Sequence, residues 1–232
     1  MAPLFDLALA HGRCVGVRIP PGSAELDALA DSALLAEERA FAGTLAGGRR
    51  RSWIGGRVAL RQALAAAGLA CGEPVFADDR GAPLLPAGLL GSISHKDEVA
   101  VALVAPADGG GRTQGGGRAR IGVDVEVEAR RTHDIARRVL TESEVLEIAG
   151  LDDVSREREV LVRFSAKEAV YKAIDPFVRR YVGFEEVAVT PLPGGEARVT
   201  AALRGGEGPF AIAVSWQRVV GVVITTARVA AA

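Results

Sequence analysis

The chain has 232 residues, 49% of them hydrophobic and 25% charged, which is enough for one large domain or two lobes of about 100 residues each. With 28 basic and 29 acidic residues the net charge is −1, so no overall basic field exists to hold nucleic acid and any anion site must be local. Cys14 and Cys71 are the only cysteines and lack metal-type spacing, which argues against a disulfide scaffold or a cysteine zinc site and fits a reducing cytoplasm.

The N-terminus lacks a basic segment followed by an apolar run, so no secretory signal is expected. No stretch approaches the roughly 18 apolar residues that a membrane span needs. Residues 1–20 read as a strand leading into the Pro20-Pro21-Gly22 turn. The Ala/Leu/Glu-rich stretch from Ala24 to Ala46 predicts a helix ending near Gly47-Gly48, and a second helix follows from Ser52 to Ala67. Strand and turn are expected at Phe76–Asp79 and Gly81–Pro86, then a hairpin of Gly91–Ser94 with Val99–Val104. Residues 105–118 contain two Gly triplets and read as a mobile surface connection. Strand 121–127 follows, then helices at 134–150 and 155–174. The C-terminal part reads as β, at 185–189, 197–203, 210–215 and 219–229. Trp53-x-x-x-Arg57-x-x-x-Arg61 echoes Phe164-x-x-x-Glu168-x-x-x-Lys172, and each helix precedes a hairpin. This predicts two similar α+β lobes, at 1–108 and 119–232, joined by 109–118.

Four segments carry the chemistry. Asp124 and Glu126 stand at i and i+2 on a strand whose other face is Ile121, Val123, Val125 and Val127. Both carboxylates therefore share a face, roughly 7 Å apart at Cα. Such a pair suits Mg²⁺, or else it is the wet face of a half-buried strand. Lys167 and Glu168 interrupt an apolar helical stripe of Val160, Phe164 and Tyr171, so at least one of these charges must lie at the core's edge or in a cleft. Lys172 follows Glu168 by one turn, as a phosphate-neutralising lysine or as an ordinary i,i+4 partner. Arg49, Arg50, Arg51 and Arg57 gather at a helix start, where guanidinium groups oppose the helix dipole unless an anion binds there. Ser94-His95 ends a strand at a polar turn. Thr141-Glu142-Ser143-Glu144 is a capping-box pattern, and Glu144 is weighed equally as a cap and as a catalytic carboxylate. The only three lysines, Lys96, Lys167 and Lys172, all fall in or beside these segments.

In this order, Gly56-Arg57, Ser92-Ile93-Ser94-His95, Gly122-Val123-Asp124-Val125-Glu126 and Phe164-Ser165-Ala166-Lys167-Glu168-Ala169 resemble the 4'-phosphopantetheinyl transferase superfamily. The resemblance is to the monomeric, two-lobed type and its enterobactin-synthetase-associated branch, over roughly residues 45–175. It implies two pseudo-symmetric lobes, each a helix on a small, mostly antiparallel sheet, with coenzyme A between them. It implies transfer of the phosphopantetheine arm to a serine of an apo acyl or peptidyl carrier protein, releasing 3',5'-ADP, by a cytoplasmic monomer with no nucleic-acid or membrane partner. By resemblance Asp124, Glu126 and Glu168 hold Mg²⁺ and Lys172 contacts the diphosphate. Ser94 and His95 meet the nucleotide end, Arg51 and Arg57 bind phosphates, and Glu144 falls where some members place a general base. The Gly-rich stretch 109–117 looks inserted. The rival readings are a Mg²⁺-dependent hydrolase of a nucleoside diphosphate compound and a non-catalytic coenzyme A-binding module.

Overall fold

The computed structural model describes residues 2–107, 119–128 and 133–231, so the Gly-rich connection expected at 109–118 lies outside the described residues. The chain divides into two compact units, Met1–Gly110 and Gly111–Ala232.

The first unit opens with a hairpin, β1 (Phe5–Leu9) and β2 (Gly12–Arg18). Helices α1 (Ser23–Ala33), α2 (Ala36–Gly43) and α3 (Gly47–Ala66) follow, then a second hairpin, β3 (Leu89–Lys96) and β4 (Val99–Pro106). The antiparallel sheet has the order β1-β2-β4-β3. Helix α3 lies on it, and Val15, Val17, Ile54, Val58, Ala102 and Val104 are among the buried residues of the shared core. The helix comes close because its contact residues are small. A Cβ on Gly55 would crowd Ile19 and Ala100, and one on Gly56 would crowd Ile93.

The single helix expected from Ala24 to Ala46 is two helices. Leu34 and Leu35 between them are extended. The physical reason is Glu38, which is fully buried. Its carboxylate accepts from the backbone N–H of Leu35 and Val75 and from two guanidinium nitrogens of Arg61 in α3. A buried carboxylate is tolerated only when it is paired and hydrogen-bonded, and breaking the helix supplies one of those donors. Gly47-Gly48, expected to end a helix, instead starts α3.

The second unit begins with β5 (Ala119–Val127), α4 (His133–Val139), α5 (Glu142–Glu147) and α6 (Asp153–Val178). A 3-10 turn (Phe184–Glu186) leads into β6 (Val187–Pro191), β7 (Glu196–Ala201), β8 (Phe210–Val219) and β9 (Val222–Ala231). The antiparallel sheet has the order β5-β9-β8-β7-β6, so β5 is an edge strand. The one helix expected at 134–150 is interrupted at Leu140–Thr141, because Thr141 caps α5. Asp152 caps α6 by accepting from the N–H groups of Val154 and Ser155, and the helix closes at Arg179 in the left-handed region, φ 47°.

Both units repeat one arrangement. A strand leads to a long helix and then to a hairpin whose last strand pairs with the first. The result is β2-β4-β3 under α3 and β5-β9-β8 under α6. The protein is thus α+β with two similar lobes. No helix among the described residues is long and apolar enough to cross a membrane.

Candidate active site

In the second unit the Gly122–Glu126 motif works through its glycine. A Cβ at Gly122 would collide with the carbonyl oxygen of Ala169, so only glycine lets α6 run this close to β5. Strand alternation then turns Asp124 and Glu126 toward the same helix. Both carboxylates are buried, 5% and 4% exposed, which rules out the wet face of a half-buried strand.

Asp124 is held from α6 on two sides. Ser165 Oγ donates to Oδ2 at 2.9 Å, and Lys172 Nζ donates to Oδ1 at 2.9 Å. Lys172 also donates to the Val123 carbonyl at 2.9 Å, a group that an edge strand can offer. Ser165, Ala169 and Lys172 mark the face of α6 turned to β5. Glu168, three residues after Ser165 and four before Lys172, flanks that face and is half-buried.

Among the described residues no three His, Cys, Asp or Glu side chains gather closely enough to hold an ion, so the expected set of Asp124, Glu126 and Glu168 is not assembled around one point. The donor chemistry nevertheless fits Mg²⁺. That ion commonly takes only one or two protein carboxylates, with waters and substrate phosphate oxygens completing the shell. Two buried carboxylates sharing a face repel one another, and the Lys172 ammonium offsets part of that charge.

Of the two charges that interrupt the apolar stripe of α6, Lys167 is the one taken inside. Its side chain is fully buried and all three ammonium protons find acceptors. These are the Val139 carbonyl at 2.6 Å, Glu144 Oε2 at 2.7 Å and the Phe184 carbonyl at 3.0 Å. Desolvation holds its pKa below the ordinary lysine value, and the bond from Glu144 pulls the other way. Glu144 is 1% exposed. Oε2 also accepts from Thr141 N–H at 2.6 Å, closing the capping box, and Oε1 accepts from Val189 N–H at 2.8 Å. A carboxylate this enclosed and occupied by three donors cannot meet a substrate hydroxyl. The geometry therefore favours the cap over the general base for Glu144.

In the first unit the arginines separate. Arg50 pairs with Asp27 at 2.7 Å. Arg57 is buried, its Nε donating to the Val75 carbonyl at 2.6 Å and its guanidinium lying 5.1 Å from the Trp53 ring centroid. Burial pulls its pKa down to about 10, with Glu38 opposing. Arg57 thus spends a donor on the fold. Arg51 differs, because its Nε and Nη2 are buried and meet no hydrogen-bond partner among the described residues. Buried unsatisfied donors are costly, so they mark a place where an acceptor belongs.

Ser94 and His95 fall on opposite faces of β3, Ser94 buried and His95 exposed, so a ligand lying on one face meets only one of them. His95 shares the face of Gly91 and Ile93, which lie against Leu60 and Gly56 of α3. Two strand residues advance about 6.6 Å and four helical residues about 6 Å, so the progression from Gly91–Leu60 to Ile93–Gly56 carries His95 toward the N-terminal end of α3. Two motifs 44 positions apart, Arg51 and His95, therefore lie near one end of α3.

A sequence profile of the 4'-phosphopantetheinyl transferase N-terminal domain matches residues 36–105, and one of the 4'-phosphopantetheinyl transferase superfamily matches residues 120–230. The 4'-phosphopantetheinyl transferase Svp of Streptomyces mobaraensis is 32% identical over 209 residues, 86% of this chain and 80% of that protein. The chain belongs to the 4'-phosphopantetheinyl transferase superfamily. The 4'-phosphopantetheinyl transferase Npt of Nocardia iowensis is 36% identical over 146 residues, 61% of this chain and 59% of that protein. Enterobactin synthase component D of Salmonella typhi is 31% identical over 145 residues, 62% of this chain and 56% of that protein. The match thus spans little more than half the length of these last two relatives.

Within this superfamily member, sequence reasoning missed Ser165 and Thr225 beside Asp124, and the inward course of Lys167. The uninterrupted burial of Ser165 to Lys167 on α6 leaves no periodic signal, since a helix buried on most sides has no polar stripe to read.

Proposed function

We propose that this protein transfers the 4'-phosphopantetheine arm of coenzyme A to a serine of an apo acyl or peptidyl carrier protein, releasing 3',5'-ADP. The reading is carried by the buried Asp124–Glu126 pair beside Lys172, in a chain of the transferase superfamily. Asp124 and Glu126 are the residues that would hold Mg²⁺, and Glu168 at their flank is left for proton transfer. When bound, that ion would supply Lewis-acid stabilisation of phosphate charge.

The chain's own groups then have separate tasks. Lys172, with its side chain 30% exposed, stands at the edge of the site and donates to the diphosphate, stabilising the charge on the departing nucleotide. The carrier serine oxygen bonds to the β-phosphorus, and the phosphoanhydride bond to the nucleotide breaks. The serine proton leaves to Glu168, the carboxylate of this set with accessible surface. In the first unit, Arg51 and the first turn of α3 grip a non-reacting phosphate with His95 nearby, while Arg57 supports the helix from beneath. On this reading the enzyme works as a monomer in the cytoplasm, and the free thiols at Cys14 and Cys71 support a reducing compartment.

The test is to incubate the protein with coenzyme A, Mg²⁺ and a panel of apo carrier proteins and to record intact masses. Gain of one phosphopantetheinyl group on at least one carrier, lost in Asp124→Ala, supports the reading. Coenzyme A cleavage at the same rate without any carrier overturns it in favour of a hydrolase. Binding without turnover overturns it in favour of a coenzyme A-binding module.

A further inference from the structure

Ser165 and Thr225 are fully buried and converge on Asp124. Thr225 is the register partner of Asp124 across β5 and β9. Ser165 Oγ lies 2.9 Å from Asp124 Oδ2 and 2.9 Å from Thr225 Oγ1, and Thr225 Oγ1 donates to the Ser165 carbonyl at 2.7 Å. Two hydroxyl protons are available: Thr225 donates its own to the carbonyl and Ser165 donates to Oδ2, with Thr225 Oγ1 standing by as a second acceptor for the Ser165 proton. Asp124 is thereby given two unlike oxygens. Oδ2 is turned inward to a hydroxyl, and Oδ1 is turned to Lys172 at the exposed side.

We propose that Ser165, fixed by Thr225, makes Asp124 a one-oxygen ligand and so selects a small divalent cation against a larger one. The inference rests on the reading that Asp124 holds Mg²⁺. Mg²⁺ accepts single carboxylate oxygens at about 2.0–2.1 Å, whereas Ca²⁺ takes about 6–8 oxygens and often both oxygens of one carboxylate. Two-oxygen capture by Asp124 would exchange the charge-assisted Ser165 bond for the weaker neutral one to Thr225 Oγ1. Ser165 does not touch the cation, so it is a positioning residue.

The test is calorimetric titration of Mg²⁺ and of Ca²⁺ into wild type, Ser165→Ala, Thr225→Val and Thr225→Ser, with the unfolding midpoint of each. Ser165→Ala should lower the ratio of Mg²⁺ to Ca²⁺ affinity about tenfold, the weight of one hydrogen bond to a charged group. Thr225→Val should lower it less, and Thr225→Ser should keep the wild-type ratio. Should Ser165→Ala fail to fold, Thr225→Val decides. A ratio unchanged in a folded variant lacking either hydroxyl overturns the inference alone, provided Mg²⁺ binding is present in wild type and lost in Asp124→Ala. Absence of divalent-cation binding in wild type overturns the metal reading and this inference together.

Discussion

Glu144→Gln separates a structural carboxylate from a catalytic one. The Glu144–Lys167 pair is 1% and 0% exposed, so neither charge is solvated. Neutralising Glu144 strands the Lys167 ammonium with two carbonyls and no hydrogen-bonded counter-charge, Glu185 acting only from a distance. Glutamine also places an NH₂ where the carboxylate faced N–H donors from Thr141, Val189 or Lys167. Removing one partner of a buried pair costs about 3–5 kcal/mol, a large part of the about 5–15 kcal/mol that a folded domain has in total. Chemical denaturation should show that loss, and the folded fraction should keep its kcat to within a few fold. Lys167→Met added to Glu144→Gln should recover part of the stability, because a neutral pair needs no counter-charge. The pH dependence has a definite sign. Desolvation lowers the Lys167 pKa, so the native protein binds fewer protons than the unfolded chain between that lowered value and 10.5. Stability therefore rises with pH across that window, and the loss of Glu144, which held the pKa up, widens it. A wild-type denaturation midpoint with a loss of about 10²–10⁴ in kcat would refute the structural role and restore a general base.

Arg51→Ala and Arg57→Ala should part company. Arg51→Ala should raise the KM for coenzyme A about tenfold or more with kcat near wild type, since it removes a grip equal in ground and transition states, and should raise the ligand-free melting temperature by removing two buried unmet donors. Arg57→Ala should lower the melting temperature through loss of its Val75 bond and Trp53 stacking, which thermal unfolding would register. Gly122→Ala should destabilise the second unit and lower turnover together, because the added methyl pushes α6 from β5 and carries Ser165 and Lys172 away from Asp124. Denaturation and rate measurements that show neither would contradict the close approach.

Much of the architecture was legible in local pattern. The alternation of Ile121 to Val127 placed both carboxylates on one face, the Thr141–Glu144 spacing declared a capping box, and the echo between the two helices announced a repeated lobe. Each of these depends on separations of a few residues, where helix and strand geometry alone decides which side chains are neighbours. What lay beyond local pattern was which charges go inside. Glu38 broke an expected helix because its partners are Arg61 and Val75. Lys167 turned inward because Val139, Glu144 and Phe184, 28, 23 and 17 positions away, present acceptors at one point. Arg57 became a strut and Arg51 kept unmet donors although they share a helix and a charge. A buried ion is stable only where distant segments bring it partners, and that convergence exists only once the chain has folded.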